Sequence, residues 1–417
     1  MIALALSLAY GGCVVLDDVE AWLPEGPVAG QAVVIDGARV AAVGPREGIG
    51  ELVRGGASIR YAGQACAVVE GAGRPVTPGI VAVDNQLGLV EIGAEPGSRN
   101  DDPHTHDAVR AALDVGDAYD PYSSLIPIQR MEGVTHSVIT PVGGGFVRGQ
   151  AALVRLLGPT QDHTVLQRGV ALVVDLPSSS RAESIRQLRE LVADVRSYAR
   201  DPGAYDANRR RALFPGLSAL DLEALIPAVR GEQPILVGAN RASDLEALIR
   251  LQEDLGVRLV IRGAAEGWRV ADRLAQAEIP VLVDPLEDGV EGFDRVGARA
   301  DNAALLAEAG VEVMFHGAGT HNLRLLRHRA GNAVRAGMDK QQAVLGLTAR
   351  PAAVFGLDGV GRLEAGASAD VVLWSGDPLE VSTLADGVWI GGLEVPLVSR
   401  QTELRERYRP IVEAAGE

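Results

Sequence analysis

The 417-residue sequence has few aromatic residues, only two cysteines and no long apolar run. Phe, Trp and Tyr make up 4% of the chain, whereas 47% of its residues are hydrophobic and 23% are charged, which indicates a globular protein. No apolar run reaches the roughly 18–20 residues that a membrane-spanning helix needs. The chain also lacks a Lys/Arg-rich block and has a formal net charge of −16. We therefore expect neither nucleic acid nor a membrane surface as a partner.

The two cysteines, Cys13 and Cys66, have a spacing that matches no zinc ribbon and no redox pair. Residues 1–9 (MIALALSLA) are apolar and end in small residues, so residues 1–10 read either as the remnant of an export signal or as a first β-strand. If the chain is exported to the periplasm, the cysteines could form a disulfide. If it is cytoplasmic, we expect two buried small apolar side chains.

Short β-rich runs lie at both ends of the chain, outside residues 76–355. Before residue 76 they are Cys13–Leu16, Ala32–Asp36 and Arg39–Val43, and after residue 355 they are Asp370–Trp374 and Gly387–Ile390. The pair Asp36-Gly37 between two of these runs is a hairpin signal. We predict that residues 1–75 and 356–417 form one composite β-sandwich, with a last helix near 403–414.

Within residues 76–355, short apolar runs alternate with helical segments such as Ser184–Arg200. The runs are Ile80–Val83, Val134–Thr140, Ala151–Leu156, Val170–Asp175, Ile235–Ala239, Leu259–Ile261, Val281–Val283 and Val311–Phe315. Their number, about eight, and their continuous Val, Ile and Leu content are typical of a closed parallel barrel. The predicted fold class is α/β: a (β/α)8 TIM barrel with a small composite β-sandwich.

Two stretches give this layout a family resemblance over nearly the whole chain. One is Ala32–Pro45 (AVVIDGARVAAVGP) with Arg74–Gly79 (RPVTPG), and the other runs from Thr348 to Pro378 through Gly361–Gly366 (GRLEAG) and Ala369-Asp370. The sequence thereby resembles the amidohydrolase superfamily, specifically its imidazolonepropionase-like branch. The resemblance implies hydrolysis of C–N bonds in cyclic amides, small amides or dipeptide-like substrates by water that a divalent metal activates.

The metal-binding motifs of that family are degenerate here. The His-x-His pair that follows the Pro-Gly at strand 1 corresponds to Asp84 and Gln86. The histidines of strands 5 and 6 fall in Val237–Arg241 (VGANR) and at Arg262, and the acid of strand 8 falls in Phe315–His321, which has no carboxylate. Near strand 4 the nearest carboxylate is Asp175. The sequence therefore predicts that the usual metal site is lost or remodelled.

Other ligand sets remain open. His104 and His106 form a His-x-His pair in an acidic loop, which we interpret as a solvated loop rather than a displaced metal site. A rearranged single-metal site could draw on barrel residues instead; its candidates are Asp84, Asp175, His136, His316 and His321. His136 lies inside a predicted strand and is interpreted as a hydrogen-bonded structural residue.

Arginines supply a second kind of candidate. Arg262 stands where a metal ligand is expected and could present fixed positive charge to a ligand carboxylate, or it could pair with an acid such as Asp84, Asp244, Glu266 or Asp284. Arg148 and Arg241 are placed to face the same barrel mouth. The predicted lining of a mouth pocket is Asp84, Gln86, Asp175, Asn240, Arg262, Glu266, Asp284, His316 and His321.

Three functions remain as hypotheses. The first is a metal-free relative of the family hydrolases with little or no family-type activity. The second is an active hydrolase with a single, rearranged metal site, for which zinc or another divalent metal would be the cofactor. The third is a non-catalytic ligand-binding or regulatory subunit. We expect no cofactor under the first and third, a small-molecule ligand at the pocket, and a homo-oligomer by analogy.

Overall fold

A computed structural model describes residues 12–50, 52–55, 58–99, 108–143, 145–176, 180–206, 214, 216–289, 292–317 and 319–415. These residues form two compact units. The first comprises the described parts of Met1–Ile80, Pro127–Thr135 and Leu357–Glu417, and the second those of Val81–Ile126 and His136–Gly356.

The strands of the described residues, in chain order, are β1 (Val14–Leu23), β2 (Gly26–Asp36), β3 (Arg39–Pro45), β4 (Leu52–Gly55), β5 (Ser58–Tyr61), β6 (Gln64–Glu70), β7 (Pro75–Pro78), β8 (Ile80–Asn85), β9 (Val134–Ile139), β10 (Val147–Arg155), β11 (Val165–Val174), β12 (Pro234–Ala239), β13 (Arg258–Gly263), β14 (Val281–Val283), β15 (Val313–Phe315), β16 (Val371–Trp374), β17 (Ala385–Ile390) and β18 (Leu393–Glu394).

The α-helices of the described residues are α1 (Leu125–Arg130), α2 (Gln161–Thr164), α3 (Arg181–Arg200), α4 (Pro202–Asp206), α5 (Ala219–Ala224), α6 (Ile226–Val229), α7 (Ala242–Leu255), α8 (Ala271–Gln276), α9 (Asn302–Glu308), α10 (Leu326–Arg335), α11 (Lys340–Leu347), α12 (Ala349–Val354) and α13 (Arg400–Ala415). None of these helices is long and apolar enough to span a lipid bilayer.

The first unit is built on a sheet of ten strands, counted over the described residues. Its order is β18-β17-β16-β7-β1-β6-β5-β4, and β2 and β3 extend from β1. Strands from both chain ends join in this sheet, because β16 pairs antiparallel with β7. Leu16, Ile35, Val371 and Trp389 meet in one buried cluster, so apolar side chains from the two ends of the sequence form a common core.

A disulfide between Cys13 and Cys66 links the start of β1 to the parallel strand β6. Both cysteines are buried, with 3% and 9% exposure, and belong to a second apolar cluster with Val15 and Val34. The predicted hairpin is also present, because Gly37 adopts the left-handed φ of 55° between the paired strands β2 and β3. The structure therefore favours the paired state of the two cysteines.

The second unit contains an eight-stranded barrel sheet with the order β15-β14-β13-β12-β11-β10-β9-β8. Each of the eight predicted apolar runs overlaps one of these strands, and the predicted α/β barrel with a separate β-rich unit is confirmed. Ile235, Val237, Leu259 and Ile261 in β12 and β13 are all buried. Strands covered on both faces need this continuous apolar sequence.

One expectation about the barrel is wrong, because its strands do not all run parallel. β10 pairs antiparallel with β9 and also with β11, whereas β11 to β15 pair parallel. Only Leu156 to Thr164, with the four-residue helix α2, connects β10 to β11. So short a connection suits antiparallel neighbours rather than a crossover. The reversal brings the beginning of β10, with Arg148, to the end of β11, where Asp175 lies.

The helices that follow β11 and β12 place their first turns beside the carboxyl ends of those strands. α3 buries Leu188, Leu191 and Val195 along one face, as its spacing predicts. α7 ends at Gly256, which has a left-handed φ of 62° and caps the helix. The residues at the starts of both helices line the cavity described next.

Candidate functional site

Three charged side chains from different strands meet at one end of the barrel sheet. Asp84 is the next-to-last residue of β8, Asp175 directly follows β11, and Arg262 is the next-to-last residue of β13. Arg262 Nη1 donates to both carboxylate oxygens of Asp84 at 3.1 Å, and its Nη2 donates to Asp175 Oδ1 at 2.8 Å. One guanidinium thus joins two carboxylates that are 91 residues apart in the chain.

Asp84 is held in a restricted position. Its backbone has a left-handed φ of 59°, which is costly for a residue with a β-carbon. Thr140 Oγ1 also donates to Asp84 Oδ1 at 3.1 Å, and only 8% of the Asp84 side chain is exposed. A strained backbone with a buried and fully engaged carboxylate is typical of a functional position.

The ionisation of this pair follows from its surroundings. Burial by itself would raise the pKa of Asp84, but the charge and hydrogen bonds of Arg262, with smaller contributions from His316 and Thr140, bring the pKa below its usual value. Burial likewise lowers the pKa of Arg262, and the charges of Asp84 and Asp175 more than offset it. Both groups are therefore charged in the folded protein at neutral pH.

His316 directly follows β15 beside this ion pair and is only 9% exposed. Burial lowers the pKa of its imidazole, and the positive charges of Arg262 and Arg329 act in the same direction, against the opposing effect of Asp84 and Asp284. The ring is thus neutral at pH 7. Its buried Nε2 has no hydrogen-bond partner among the described residues.

Gly238 provides the space that Arg262 occupies. The two residues are register partners on the parallel strands β12 and β13. A β-carbon at position 238 would lie 3.3 Å from Arg262 Nη2, closer than most β-carbon contacts, and in ordinary contact with its Nε at 3.6 Å. The absence of a side chain at 238 therefore permits the guanidinium to lie across the strand end.

A cavity of about 590 Å³ opens beside these residues, a volume that suits a small organic molecule. It is lined by Asp175, Leu176, Arg181, Ala182, Ile185, Gly238, Ala239, Asn240, Asp244, Ala247, Arg262, Gly263, Glu287, Asp294, Arg295 and His316. The apolar wall comes largely from the first turns of α3 and α7. Of the predicted mouth residues, four lie in this lining: Asp175, Asn240, Arg262 and His316.

The other predicted mouth residues support the surrounding loops. Gln86 exchanges hydrogen bonds with Thr320, and His321 Nε2 lies 2.8 Å from the Glu91 carbonyl oxygen. Glu266 accepts from two backbone N–H groups, those of Ala242 at 3.1 Å and Gly297 at 2.8 Å. Their partners indicate positioning roles, because a loop N–H, hydroxyl or carbonyl group engages each of these side chains.

The remaining candidates are placed as follows. Asp284 is ion-paired with Arg329 and accepts from Leu286 N at 3.0 Å. Arg148 is ion-paired with Asp175. His136 is buried within β9, Arg241 is the residue that precedes α7, and His104 and His106 lie outside the described residues.

Several cavity residues were not predicted from the sequence. Arg181 at the start of α3 pairs with Asp244 in the first turn of α7 at 2.7 Å, and Arg295 pairs with Glu287 at 2.5 Å. Asp294 accepts from Asn240 Nδ2 at 2.8 Å. The first pair could have been found, because the first turn of each barrel helix borders the mouth. The other residues lie in the loop after β14, whose path has no sequence signal.

The donor groups at this site do not fit a divalent metal of the kind that the family resemblance implies. No group of three or more His, Cys, Asp or Glu side chains that could hold a metal ion occurs in the part of the chain that the structure describes. The rearranged set of Asp84, Asp175, His136, His316 and His321 therefore does not converge as that hypothesis requires. Instead, Asp84 and Asp175 share the guanidinium of Arg262, a cation that cannot lose its proton.

Comparison with known proteins agrees with this architecture. Residues 239–399 match the amidohydrolase family. An amidohydrolase from Thermotoga maritima MSB8 has a similar structure, with a TM-score of 0.77, 22% identity and coverage of 93% of this chain and 100% of that one. None of the curated protein sequences matches the chain.

Two further solved structures are similar at lower scores. A molinate hydrolase has a TM-score of 0.56 at 17% identity, over 93% of this chain and 95% of that one. A prolidase complexed with N-methylphosphonate-L-proline has a TM-score of 0.54 at 14% identity, over 92% and 99% of the two chains. At these identities the likeness concerns the fold.

The barrel with a β-rich unit built from both chain ends is thus an amidohydrolase-type fold. The match to the amidohydrolase family covers residues 239–399, and the similar solved structures extend the likeness of fold to most of the chain.

Proposed function

We propose that this protein binds a small organic molecule in the barrel cavity and has little or no metal-dependent hydrolase activity of the family type. The proposal depends mainly on one observation, the bifurcated contact of Arg262 Nη1 with both carboxylate oxygens of Asp84 and the contact of its Nη2 with Asp175. These contacts use the carboxylates that a catalytic metal would need. Without such a metal, the family's route to an activated water has no support from this site.

The cavity supports retention of ligand binding. It combines an apolar wall, including Leu176, Ile185 and Ala247, with a few polar groups such as Asn240 and His316. Each arginine in its lining has a carboxylate partner. Arg181 pairs with Asp244, Arg295 pairs with Glu287, and Arg262 pairs with both Asp84 and Asp175. A neutral ligand with an apolar body and amide-like hydrogen-bonding groups would leave these ion pairs intact, so we favour that class over a strongly charged ligand.

The test uses the purified full-length protein with hydantoin, 2-pyrrolidinone and glycyl-proline as probes. We expect no hydrolysis of any probe with or without added Zn²⁺ or Mn²⁺, and saturable binding of at least one neutral amide by calorimetry. Ala247→Phe should abolish that binding by filling the cavity wall. Ala353→Phe, at a separate cavity lined by residues at or just before the starts of β12 to β15, is the matched control.

Two results would contradict the proposal. Metal-dependent turnover that is lost in Asp84→Asn would show a working metal hydrolase. Failure of every probe to bind, or binding that Ala247→Phe leaves unchanged, would contradict a ligand role for this cavity.

A further inference from the structure

We propose that a second cavity, at the opposite end of the barrel strands from Arg262, binds a small zwitterion of the α-amino acid type with an aliphatic side chain. The cavity has a volume of about 540 Å³, and residues at or just before the starts of β12 to β15 line it. Arg262 lies at the other end of β13. The inference goes beyond the proposed function, because it concerns a separate part of the second unit.

Short connections at this end of the barrel explain why the cavity exists. Only Gly256 and Val257 separate α7 from β13, and only residues 277–280 and 309–312 separate α8 from β14 and α9 from β15. A connection of this length runs directly into its strand and forms no covering loop. The described side chains therefore leave a concave surface beside the strand starts, of a volume that suits a small organic molecule.

The apolar part of the cavity suits an aliphatic side chain. It is formed by four buried residues, which are Leu274, Ile279, Val311 and Val354. Gln252 also lines the cavity, but its amide is used within the fold: Nε2 donates to the Ala277 carbonyl oxygen at 2.7 Å, and Oε1 accepts from Leu259 N at 2.8 Å. Recognition of a polar ligand group therefore depends on the charged residues of the lining.

Three charged side chains complete this lining. Arg258 is the first residue of β13, and Glu278 and Glu312 lie just before β14 and β15. Among the described residues, the side chains of Arg258 and Glu278 have no hydrogen-bond or ion-pair partner. The charge of Glu312 acts on Arg350, whose guanidinium also donates to the Gln342 carbonyl oxygen at 3.0 Å. The cavity thus presents one cation and one anion that a ligand can engage directly, with a second anion beside them.

The order of these charges fits a zwitterion. Arg258 and Glu278 each lie three residues before a pair of register partners, Ile261 and Val281, on the neighbouring parallel strands β13 and β14. Such strands lie about 4.8 Å apart, so the two side chains start from adjacent places. A guanidinium binds a carboxylate, and a carboxylate accepts hydrogen bonds from an ammonium group. A simple anion would meet two carboxylates for one guanidinium and is the poorer match.

The experiment is calorimetry of the purified full-length protein with L-leucine, N-acetyl-L-leucine and L-leucinamide. We expect saturable binding of one L-leucine per chain. Each derivative lacks one of the two charges of L-leucine and should bind at least ten-fold more weakly. Equal binding of either derivative would overturn the inference, and so would failure of L-leucine to bind.

Variants locate the binding site. Arg258→Gln and Glu278→Gln change exposed side chains and should each weaken L-leucine binding at least ten-fold. Arg230→Gln is the matched control, because it changes an exposed arginine outside the cavity lining and should leave the affinity unchanged. Unchanged affinity in both Arg258→Gln and Glu278→Gln would overturn the inference.

A pair of cavity-filling variants separates the two cavities. Ala353→Phe should abolish L-leucine binding, with its melting temperature as the check on folding, whereas Ala247→Phe should leave L-leucine binding unchanged. The opposite pattern would place L-leucine in the cavity beside Arg262 and would overturn the inference. If Ala353→Phe does not fold, the result for Arg258→Gln decides.

Discussion

Gly238 and Arg262 are a complementary pair on neighbouring strands, because the missing side chain of one makes room for the long side chain of the other. In Gly238→Val the new β-carbon would start 3.3 Å from Arg262 Nη2, and its methyl groups would compete with the guanidinium for the same space. We expect a loss of about 1–3 kcal/mol in the free energy of unfolding, measured in urea. Gly93→Val changes an exposed glycine with open surroundings and should leave the urea midpoint near that of the wild type. Equal losses of stability in the two variants would contradict the pairing of Gly238 with Arg262.

Loss of the Arg262 guanidinium should produce a pH-dependent instability. In Arg262→Met, Asp84 stays buried without its main counter-charge, and we expect a loss of about 3–5 kcal/mol at pH 7.5. Burial then raises the Asp84 pKa, so protonation relieves part of the cost as the pH falls. The stability gap to the wild type should therefore narrow between pH 7.5 and pH 5.

In the wild type, the pH dependence of stability that Asp84 contributes has the opposite sign. Its lowered folded pKa contributes stability above the unfolded pKa of about 3.9, and this contribution is lost only as the pH falls further, through the folded value. Urea unfolding of the wild type and of Arg262→Met between pH 7.5 and pH 5 tests whether the stability gap narrows. Arg186→Met, in an exposed pair on α3, is the control and should show no such narrowing.

His316 should make the native state less stable in mild acid. Its folded pKa lies below 6.5 because the ring is buried, and the charged groups around it are Asp84, Arg262, Asp284 and Arg329. Near pH 6.5 the unfolded chain binds a proton at His316 that the native state does not bind. The contribution of neutral His316 to the free energy of unfolding is therefore complete above pH 6.5 and decreases as the pH falls further.

The test for His316 compares the free energy of unfolding at pH 7.5 and pH 5.5. His316→Gln should lose part of the wild-type decline, while Asn322→Gln, an exposed and non-titrating change in the same loop, should keep it. An unchanged decline in His316→Gln would show that other groups account for the effect.

The disulfide should stabilise the β-rich unit. It closes a loop with a sequence separation of 53 residues, for which loop entropy predicts about 4 kcal/mol. A reducing agent should lower the melting temperature of the wild type but not that of the Cys13→Ser, Cys66→Ser double variant. Two free thiols in freshly purified, denatured wild-type protein would contradict the bond.

Much of the fold could be predicted because it depends on local patterns. The runs at Ile235–Ala239 and Leu259–Ile261 are continuous apolar segments, and each forms a barrel strand. The direction of β10 could not be predicted this way, because an apolar strand covered on both faces reads the same in either direction. Antiparallel pairing here depends on the connection after Arg155, which is too short for the crossover helix that parallel strands need.

The residues of the candidate site could likewise be predicted only in part. Arg262 was recognised because it stands where the family resemblance expects a metal ligand, and an acid partner was one of the expectations for it. Its second partner, Asp175, was not, because contacts between residues 87 apart depend on the packing of three strands. Asp294 and Arg295 were missed because a loop without periodicity gives no indication of where it folds.

The reversed direction of β10 has a further consequence for how this barrel can change over evolution. Arg148 is its second residue, and successive side chains of a strand alternate between faces. An inserted or deleted residue just before β10 that shifted its pairing by one position would turn Arg148 away from Asp175. The electrostatic balance of the barrel mouth is therefore sensitive to the length of the segment before β10, a region where most barrels accept insertions freely.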